Sequence, residues 1–451
     1  MTETKLVVLD DDPTGSQTVH SCLLLTRWDP ETLRDALLDE APLFFVLTNT
    51  RGMEPRRAAD VTREVCRNLR TALEDLARTG RRIEPILISR SDSTLRGHYP
   101  VETDIIAEEL GPFDAHFLIP AFIEGGRITR DGVHYLMIEG KPVPVHRTEF
   151  ARDSVFGYRH AFLPDYIEEK TQGRIRAGQV ERFGLDEIRA GCLARLMGLH
   201  GNVACAVDAE SQGDLDAFAK DLNRAARQGK RFLCRSAAGI VAALAGLPPQ
   251  PVAAADMRRY LRTDNPGAVI VGSHVSTTTR QLQRLLAEAD TVPIEVDVAR
   301  LPDASQALLG NVLERIEAAH ALHLTPVIFT SRVELGFDSE ETRLAFGELV
   351  SGFLMEVVQR LPDDLGFLIS KGGITSNDVL SQGLSLRIAR VLGQILPGCS
   401  MVRCPDDHPL YPRLPVVIFP GNVGDDDALA TVYRRLAGPP SSTASVRQGS
   451  G

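Results

Sequence analysis

The chain lacks a surplus of positive charge. With 50 Lys and Arg against 60 Asp and Glu, its net charge is −10, so it has no basic stripe to displace counterions from a nucleic-acid backbone. A small anionic ligand in a local basic pocket is compatible with that balance. No apolar run reaches the roughly 18 residues of a membrane span. The start MTETKLVVLDDD has acids behind its apolar run and no small-residue cleavage pattern, which argues against a secretory signal. A cytoplasmic protein with neither membrane nor nucleic acid as partner is expected. Cysteines 22, 66, 192, 205, 234, 399 and 404 are odd in number, scattered and without a C-x-x-C pair. Reduced, buried thiols are expected rather than disulfides or zinc ligands. Neither G-x-x-x-x-G-K-S/T nor G-x-G-x-x-G stands between a strand and a helix, so the two common nucleotide fingerprints do not apply. No repeat of fixed period is present.

What the chain does have is a rhythm. Short β-branched apolar runs end in polar turns and are followed by amphipathic helical patterns, as in KLVVLDDDPTGSQ, LFFVLTNTRGMEPRRAADV and PILISRSDSTLRGHYPVETDI. HFLIPAFIEGG, NVACAVDAES and RFLCRSAAG continue it. Nearly continuous apolar strands alternating with helices predict an α/β fold with mostly parallel sheets flanked by helices. The length of 451 residues and the 43% hydrophobic content suit two cores of ordinary size. Pro248, Pro249 and Pro251 break the rhythm, and it restarts at AVIVGSHVSTTT. The expected division is therefore a domain over 1–245, a linker over 246–266, a second domain over 267–437 and a disordered tail over 438–451.

Parallel sheets of this kind bind ligands where strands end and loops open. In the first half those loops carry Asp10, Asp11, Asp12 and Thr14, then Arg51, then Arg90, Asp92, Ser93, Thr94 and Arg96. Arginine grips a carboxylate with two parallel donors, and aspartate hydrogen-bonds a sugar hydroxyl or takes its proton. That vocabulary suits a small hydroxylated acid; a surface salt-bridge set with aspartate caps is the plainer alternative. His98, His134 and His146 have no metal-ligand spacing and are read as structural.

In the second half three turns stand out: GSHVSTTT (272–279), KGGITSND (371–378) and PGNVGDDD (420–427). Gly372, Gly373 and Gly421 would let backbone N–H groups approach a phosphate, with Ser273, Ser276, Thr375 and Ser376 as hydroxyl donors. Plain helix caps and turns remain the other reading. Asp425, Asp426 and Asp427 either hold Mg²⁺ through water or complement a helix dipole.

DD-x-TG (Asp11, Asp12, Thr14, Gly15), DSTLRG (Asp92 to Gly97), GS-x-x-S (Gly272, Ser273, Ser276), KGGIT (Lys371 to Thr375) and PGN (Pro420 to Asn422) follow one another in order. This combination resembles the four-carbon acid sugar kinases, from about residue 5 to residue 436. The resemblance implies a substrate-binding N-terminal domain, an ATP-binding C-terminal domain and phosphorylation of a hydroxyl on threonate, erythronate, a 3-oxo acid or a related branched acid. It assigns Asp11, Arg51 and the DSTL segment, Asp92, Ser93 and Thr94, to the substrate. It assigns Ser273, Ser276, Gly372, Gly373, Ile374, Thr375 and Gly421 to the nucleotide. The chain departs from the family on the substrate side, with DDPTGSQ in the first motif and Ser89-Arg90-Ser91 ahead of the DST block.

The expected mechanism has Arg51 and Arg96 clamping the substrate carboxylate and Asp11, Asp12 or Asp92 handling the hydroxyl proton. ATP with Mg²⁺ would sit in the glycine loops, with metal ligands left unassigned and assembly as a homodimer left open. A non-catalytic sugar-acid binder and a sugar-acid oxidoreductase or isomerase are the alternatives.

Overall fold

A computed structural model describes residues 3–13, 15–332, 335–337 and 339–438. Thr14 and the tail from residue 439 lie outside the described residues. The chain divides into two compact units. The first comprises Met1–Gln250 with Arg387–Val391, and the second comprises Pro251–Leu386 with Leu392–Gly451.

In unit 1 the strands are β1 (Glu3–Asp10), β2 (Leu23–Leu25), β3 (Leu43–Leu47), β4 (Ile83–Arg90), β5 (Ala115–Ile119), β6 (Arg127–Arg130), β7 (Val133–Ile138), β8 (Lys141–Pro144), β9 (Glu181–Phe183), β10 (Val203–Val207) and β11 (Phe232–Ser236). The main sheet runs β2-β3-β1-β4-β11-β5-β10-β9, and every one of these pairs is parallel. The chain leaves β1 for β3 on one side and then crosses to β4 on the other. The β1/β4 junction is therefore a topological switch point, where loops diverge and leave a crevice. Asp10 is level with Leu47 on one side and Arg90 on the other, so three loops open at the same height.

The strands are apolar because both faces are covered. On one face the helix Pro55–Arg78 starts on a proline, which fits a first helical turn, and buries Ala58, Val61, Val65, Leu69, Ala72 and Leu76. Their three- and four-residue spacing makes one stripe, packed in a core with Val7, Leu9, Phe44, Val46 and Leu87. Truncating the fully buried Leu69 to alanine would cost about 2–5 kcal/mol.

The run after β5 does not continue the βα rhythm. It forms an antiparallel sheet, β6-β7-β8, turned by Asp131-Gly132 (φ 52° and 77°) and Glu139-Gly140 (φ 50° and 76°). Two successive positive φ values are the signature of the tight hairpin turn that matches strand twist.

Unit 2 contains β12 (Ala268–Val271), β13 (Thr291–Val296), β14 (Thr325–Thr330), β15 (Leu368–Lys371), β16 (Ile388–Leu396), β17 (Cys399–Arg403) and β18 (Pro415–Phe419). Its sheet runs β13-β14-β12-β15-β18-β17-β16, parallel from β13 to β18 and antiparallel at β17. A second switch point lies between β12 and β15. Val271, Lys371 and Phe419 are level there, so the turns after β12, β15 and β18 open side by side.

β16 has a double allegiance. Its first residues, Ile388, Ala389 and Arg390, pair antiparallel with Leu25, Leu24 and Leu23 of β2 and belong to unit 1. Arg390 donates to both carboxylate oxygens of Asp39, at 2.9 and 2.7 Å. The rest of the strand belongs to unit 2. Among the described residues no helix is long and apolar enough to cross a membrane, and all seven cysteines are buried and free.

Candidate functional site

At the switch point of unit 1 the acids and arginines meet, though not as isolated groups. Arg51 donates to Asp11 through Nη2 (2.5 Å to Oδ1) and Nε (3.3 Å to Oδ2), and to Asp12 through Nη1 (3.2 Å). Ser91 donates to Asp11 Oδ2 at 2.5 Å. The Asp11 side chain is 1% exposed and already takes three donors, so it holds Arg51 in place. Asp12 is 24% exposed and Asp92 14%, and these two reach the open side.

Asp92 Oδ2 accepts from Thr94 Oγ1 and from Arg96 Nε, the latter at 2.8 Å. Burial alone would raise its pKa, but the Arg51 and Arg96 guanidinium groups prevail and hold the carboxyl well below the usual range. Asp92 is therefore ionised at any physiological pH. Asp10 behaves oppositely. Burial pushes it up to about 7 despite Arg90, which donates to its Oδ1 at 3.0 Å, and its Oδ2 is buried without a partner among the described residues. A Cβ on Gly15 would lie 1.9 Å from that oxygen, which explains the glycine in DDPTG.

The clamp expected of Arg51 and Arg96 needs correcting. Arg96 is engaged by Asp92, stands 3.7 Å from Asp153 and lies over the Phe150 ring. Like Arg51, it already serves carboxylates of the chain.

The DST turn is bent through Leu95 (φ 69°) and Gly97 (φ 121°) and held from outside. Tyr158 OH donates to Thr94 O at 2.7 Å, Tyr166 OH to Leu95 O at 2.8 Å, and His134 Nε2 to Ser93 O at 2.7 Å. His98 Nε2 ties the Arg51 loop through Thr50 O and Met53 O. Arg235 links Ser89, Ser91 and Glu102 from beneath. His98 and His134, read as structural from their spacing, are among these anchors, whereas Tyr158, Tyr166 and Arg235, and Arg127 near the turn, did not stand out in the loop motifs. The Asp-Gly and Glu-Gly hairpin signals after GRITR would have found the sheet that carries Arg127 and His134.

In unit 2 the three turns interlock through glycine. A Cβ on Gly272 would meet Thr375 Oγ1 at 2.3 Å; one on Gly372, which has φ 123°, would meet Ser273 Cβ at 3.1 Å; one on Gly421 would meet Ser273 Oγ at 3.1 Å. Thr278 donates to Ser273 Oγ (3.1 Å) and to Gly421 O (2.9 Å). Lys371 does not face a ligand. It is fully buried, donates to Pro420 O at 2.5 Å and Gly421 O at 3.1 Å, and is pushed down to about 7 by burial. Its ammonium therefore fastens the PGN turn to the KGG turn.

The capping reading fails at all three hydroxyls. Val275 and Gly372 are the N-caps, Ser276 is exposed, Thr375 packs against Gly272, and Ser376 donates to Ser370 O at 3.0 Å. Gly373 and Ile374 open the short helix Gly373–Asp378, with Ile374 74% exposed. Gly421 lies well ahead of the next helix, Ala428–Ala437, so it is not at a helix N-terminus.

Two family descriptions match in tandem: a sugar-binding N-terminal domain over residues 6–244 and a nucleotide-binding C-terminal domain over residues 268–429. The chain belongs to the four-carbon acid sugar kinase family. A curated relative, the D-erythronate kinase of Heliobacterium modesticaldum (strain ATCC 51547 / Ice1), is 24% identical over 94% of this chain and 95% of its own. The fold recurs in the Haemophilus influenzae protein HI1011 (TM-score 0.65, 16% identity, 95% of this chain and 100% of that one). It recurs also in a Salmonella typhimurium LT2 protein described as a candidate tRNA synthase (TM-score 0.68, 18% identity, 96% and 98%).

The sugar-binding and nucleotide-binding domains of this acid sugar kinase family member coincide with the two switch points. In the nucleotide-binding domain, Arg332 follows β14 and donates through Nη1 to Ser273 O. Among the described residues its Nε and Nη2 are buried without partners. Unspent donors beside the GSHVS turn suit a phosphate. The acidic loop does not suit a dedicated metal cage: Asp426 pairs with Arg280 at 2.8 Å and Asp427 with Arg284 at 3.8 Å. Among the described residues no three His, Cys, Asp or Glu side chains group as metal ligands.

Proposed function

We propose that this protein is an ATP-dependent kinase that phosphorylates a hydroxyl of a short acid sugar such as threonate, erythronate or a 3-oxo acid. One observation carries the reading. Two switch points in one chain suit opposite ligands, one presenting the Asp12 and Asp92 carboxylates, which can accept from a substrate hydroxyl, the other glycine turns and Arg332 donors that have no partner among the described residues, which suit phosphate. The curated relative named D-erythronate kinase supports the substrate class.

In this reading the substrate hydroxyl donates a hydrogen bond to Asp92 or Asp12, and its oxygen attacks the γ-phosphorus as the bond to ADP breaks. The proton passes to the carboxylate. A loose transition state asks for little proton transfer early on, so a carboxylate as acidic as Asp92 serves by orienting the hydroxyl and accepting its proton late. Ser93 and Thr94 complete the substrate side. Ser273, Ser276, Gly372 to Thr375 and Gly421 hold the nucleotide. Mg²⁺ would arrive bound to the phosphates, since that ion keeps several waters and takes only one or two carboxylates from a protein.

The test is ADP release with Mg-ATP across threonate, erythronate, 3-oxo-tetronates and branched relatives. Sugar-acid-dependent ADP release is expected. Its absence across the panel, with the chain folded, would sink the reading.

A further inference from the structure

We propose that Arg127 is the residue that recognises the carboxylate of the sugar acid, a role that rests on the kinase reading above. A crevice that presents the carboxylates of Asp12 and Asp92 disfavours an anionic substrate unless a cation there is unspent. Its other arginines are matched: Arg51 to Asp11 and Asp12, Arg90 to Asp10, Arg96 to Asp92, and Arg235 to Glu102.

Arg127 has no ion pair among the described residues. Its Nη1 donates to Gly125 O, and its Nε is buried with no hydrogen-bond partner. Burial lowers its pKa, the Asp92 carboxylate opposes that shift and the Arg96 guanidinium adds to it. It acts in turn on His134, whose Nε2 bonds Ser93 O at 2.7 Å.

The backbone fixes this position. Arg127 exchanges both peptide hydrogen bonds with Phe122 at 2.9 Å, and β6 pairs with β7 so that Thr129 is opposite His134. The hairpin that holds the DST turn through His134 thus sets Arg127 beside it. A half-buried guanidinium whose Nε is an unused buried donor is unfavourable until an anion supplies the missing acceptor. A carboxylate matches its planar fork. The inserted sheet then supplies the selectivity for an acid over a neutral sugar of the same length.

The γ-phosphate of ATP offers the same anionic chemistry, so the experiment separates the two. Calorimetry would measure binding of D-erythronate, of the neutral four-carbon alditol and of ATP to the wild type, Arg127→Met and Arg127→Lys. Thermal unfolding would verify that each variant is folded. Loss of a charge-assisted contact should weaken erythronate binding roughly ten- to a hundredfold in Arg127→Met, with partial recovery in Arg127→Lys and no change for ATP or the alditol. Unchanged erythronate affinity, equal loss for acid and alditol, or a loss confined to ATP would each overturn the assignment. If the wild type binds erythronate but transfers no phosphate to it, the kinase reading falls while the effect of Arg127→Met on acid binding still decides this one.

Discussion

The two units solve one geometric problem with different materials. Each has a first strand flanked by neighbours reached in opposite directions, and each opens its crevice there. In unit 1 the crevice is furnished by side chains, with carboxylates held in place by arginines that are themselves held. In unit 2 it is furnished by main chain, hydroxyls and glycine, with a buried lysine fastening two turns from beneath. Gly97 and Gly372 make the contrast concrete, since both have φ near 120°. A Cβ on Gly97 would strike Ser91 Oγ and Arg235 Nη2, whereas one on Gly372 would press on Ser273 and Thr375. The same bend serves charge placement in one unit and backbone approach in the other. Directional charged groups tell one hydroxylated acid from another; peptide N–H groups suit a phosphate that is the same in every turnover.

If that division of labour is right, the largest single effect belongs to Asp92. Asp92→Asn should lower kcat by about 10² or more and leave the KM for ATP unchanged. Steady-state kinetics on the purified variant would measure both, and an unaltered kcat would move the chemistry to another carboxylate.

The two glycines come next. Gly97→Ala and Gly372→Ala each impose backbone strain of about 1–3 kcal/mol. The first should raise the KM for the sugar acid roughly tenfold and the second the KM for ATP by a similar factor. A crossed result, with Gly97→Ala affecting ATP, would dissolve the comparison.

A last difference is in stability against pH. Asp10 ionises near 7 when folded but at an ordinary 3.8 when unfolded. Between those values the folded state holds a proton that the unfolded state has lost, so stability should fall as pH rises from 3.8 to 7 and then level off. Lys371 ionises near 7 when folded against 10.5 unfolded. The unfolded state there keeps the proton longer, so stability should rise between 7 and 10.5. Melting curves of Asp10→Asn and Lys371→Met across pH should each remove one limb, by an amount on the order of a few kcal/mol.

How much of this could be read from the letters depends on how local the signal is. The strand ends DDD, SRSDST, GSHVS, KGGIT and PGN were legible because an apolar run that stops at a polar turn marks the mouth of a parallel sheet. Partners were not. Arg51 and Arg96 look like free clamps in the sequence, and only the register of β1, β3 and β4 sets Asp11 opposite Arg51 and leaves Arg127 unspent. Lys371 shows the same limit: its place ahead of the glycines was visible, while its inward direction depends on β18 lying alongside. Ser276, Thr375 and Ser376 could be read as caps because capping is the commonest local use of a hydroxyl at a helix start, whereas Ser276 is exposed, Thr375 packs against Gly272 and Ser376 donates to Ser370 O. The β6-β7-β8 hairpins carried plain turn signals that the βα rhythm masked.

The divided strand β16 has a consequence for how the protein is made. Unit 1 is not finished when its first 250 residues leave the ribosome, because the segment that covers β2 is encoded roughly 140 residues later. At about 5–20 residues per second, the edge Leu23–Leu25 waits on the order of 10–30 s for its partner. For that interval three leucines and a row of unpaired peptide groups are open to any other extended chain. A gene cut at the apparent boundary would make that interval permanent, so the N-terminal half is not a cassette that can be moved between proteins intact.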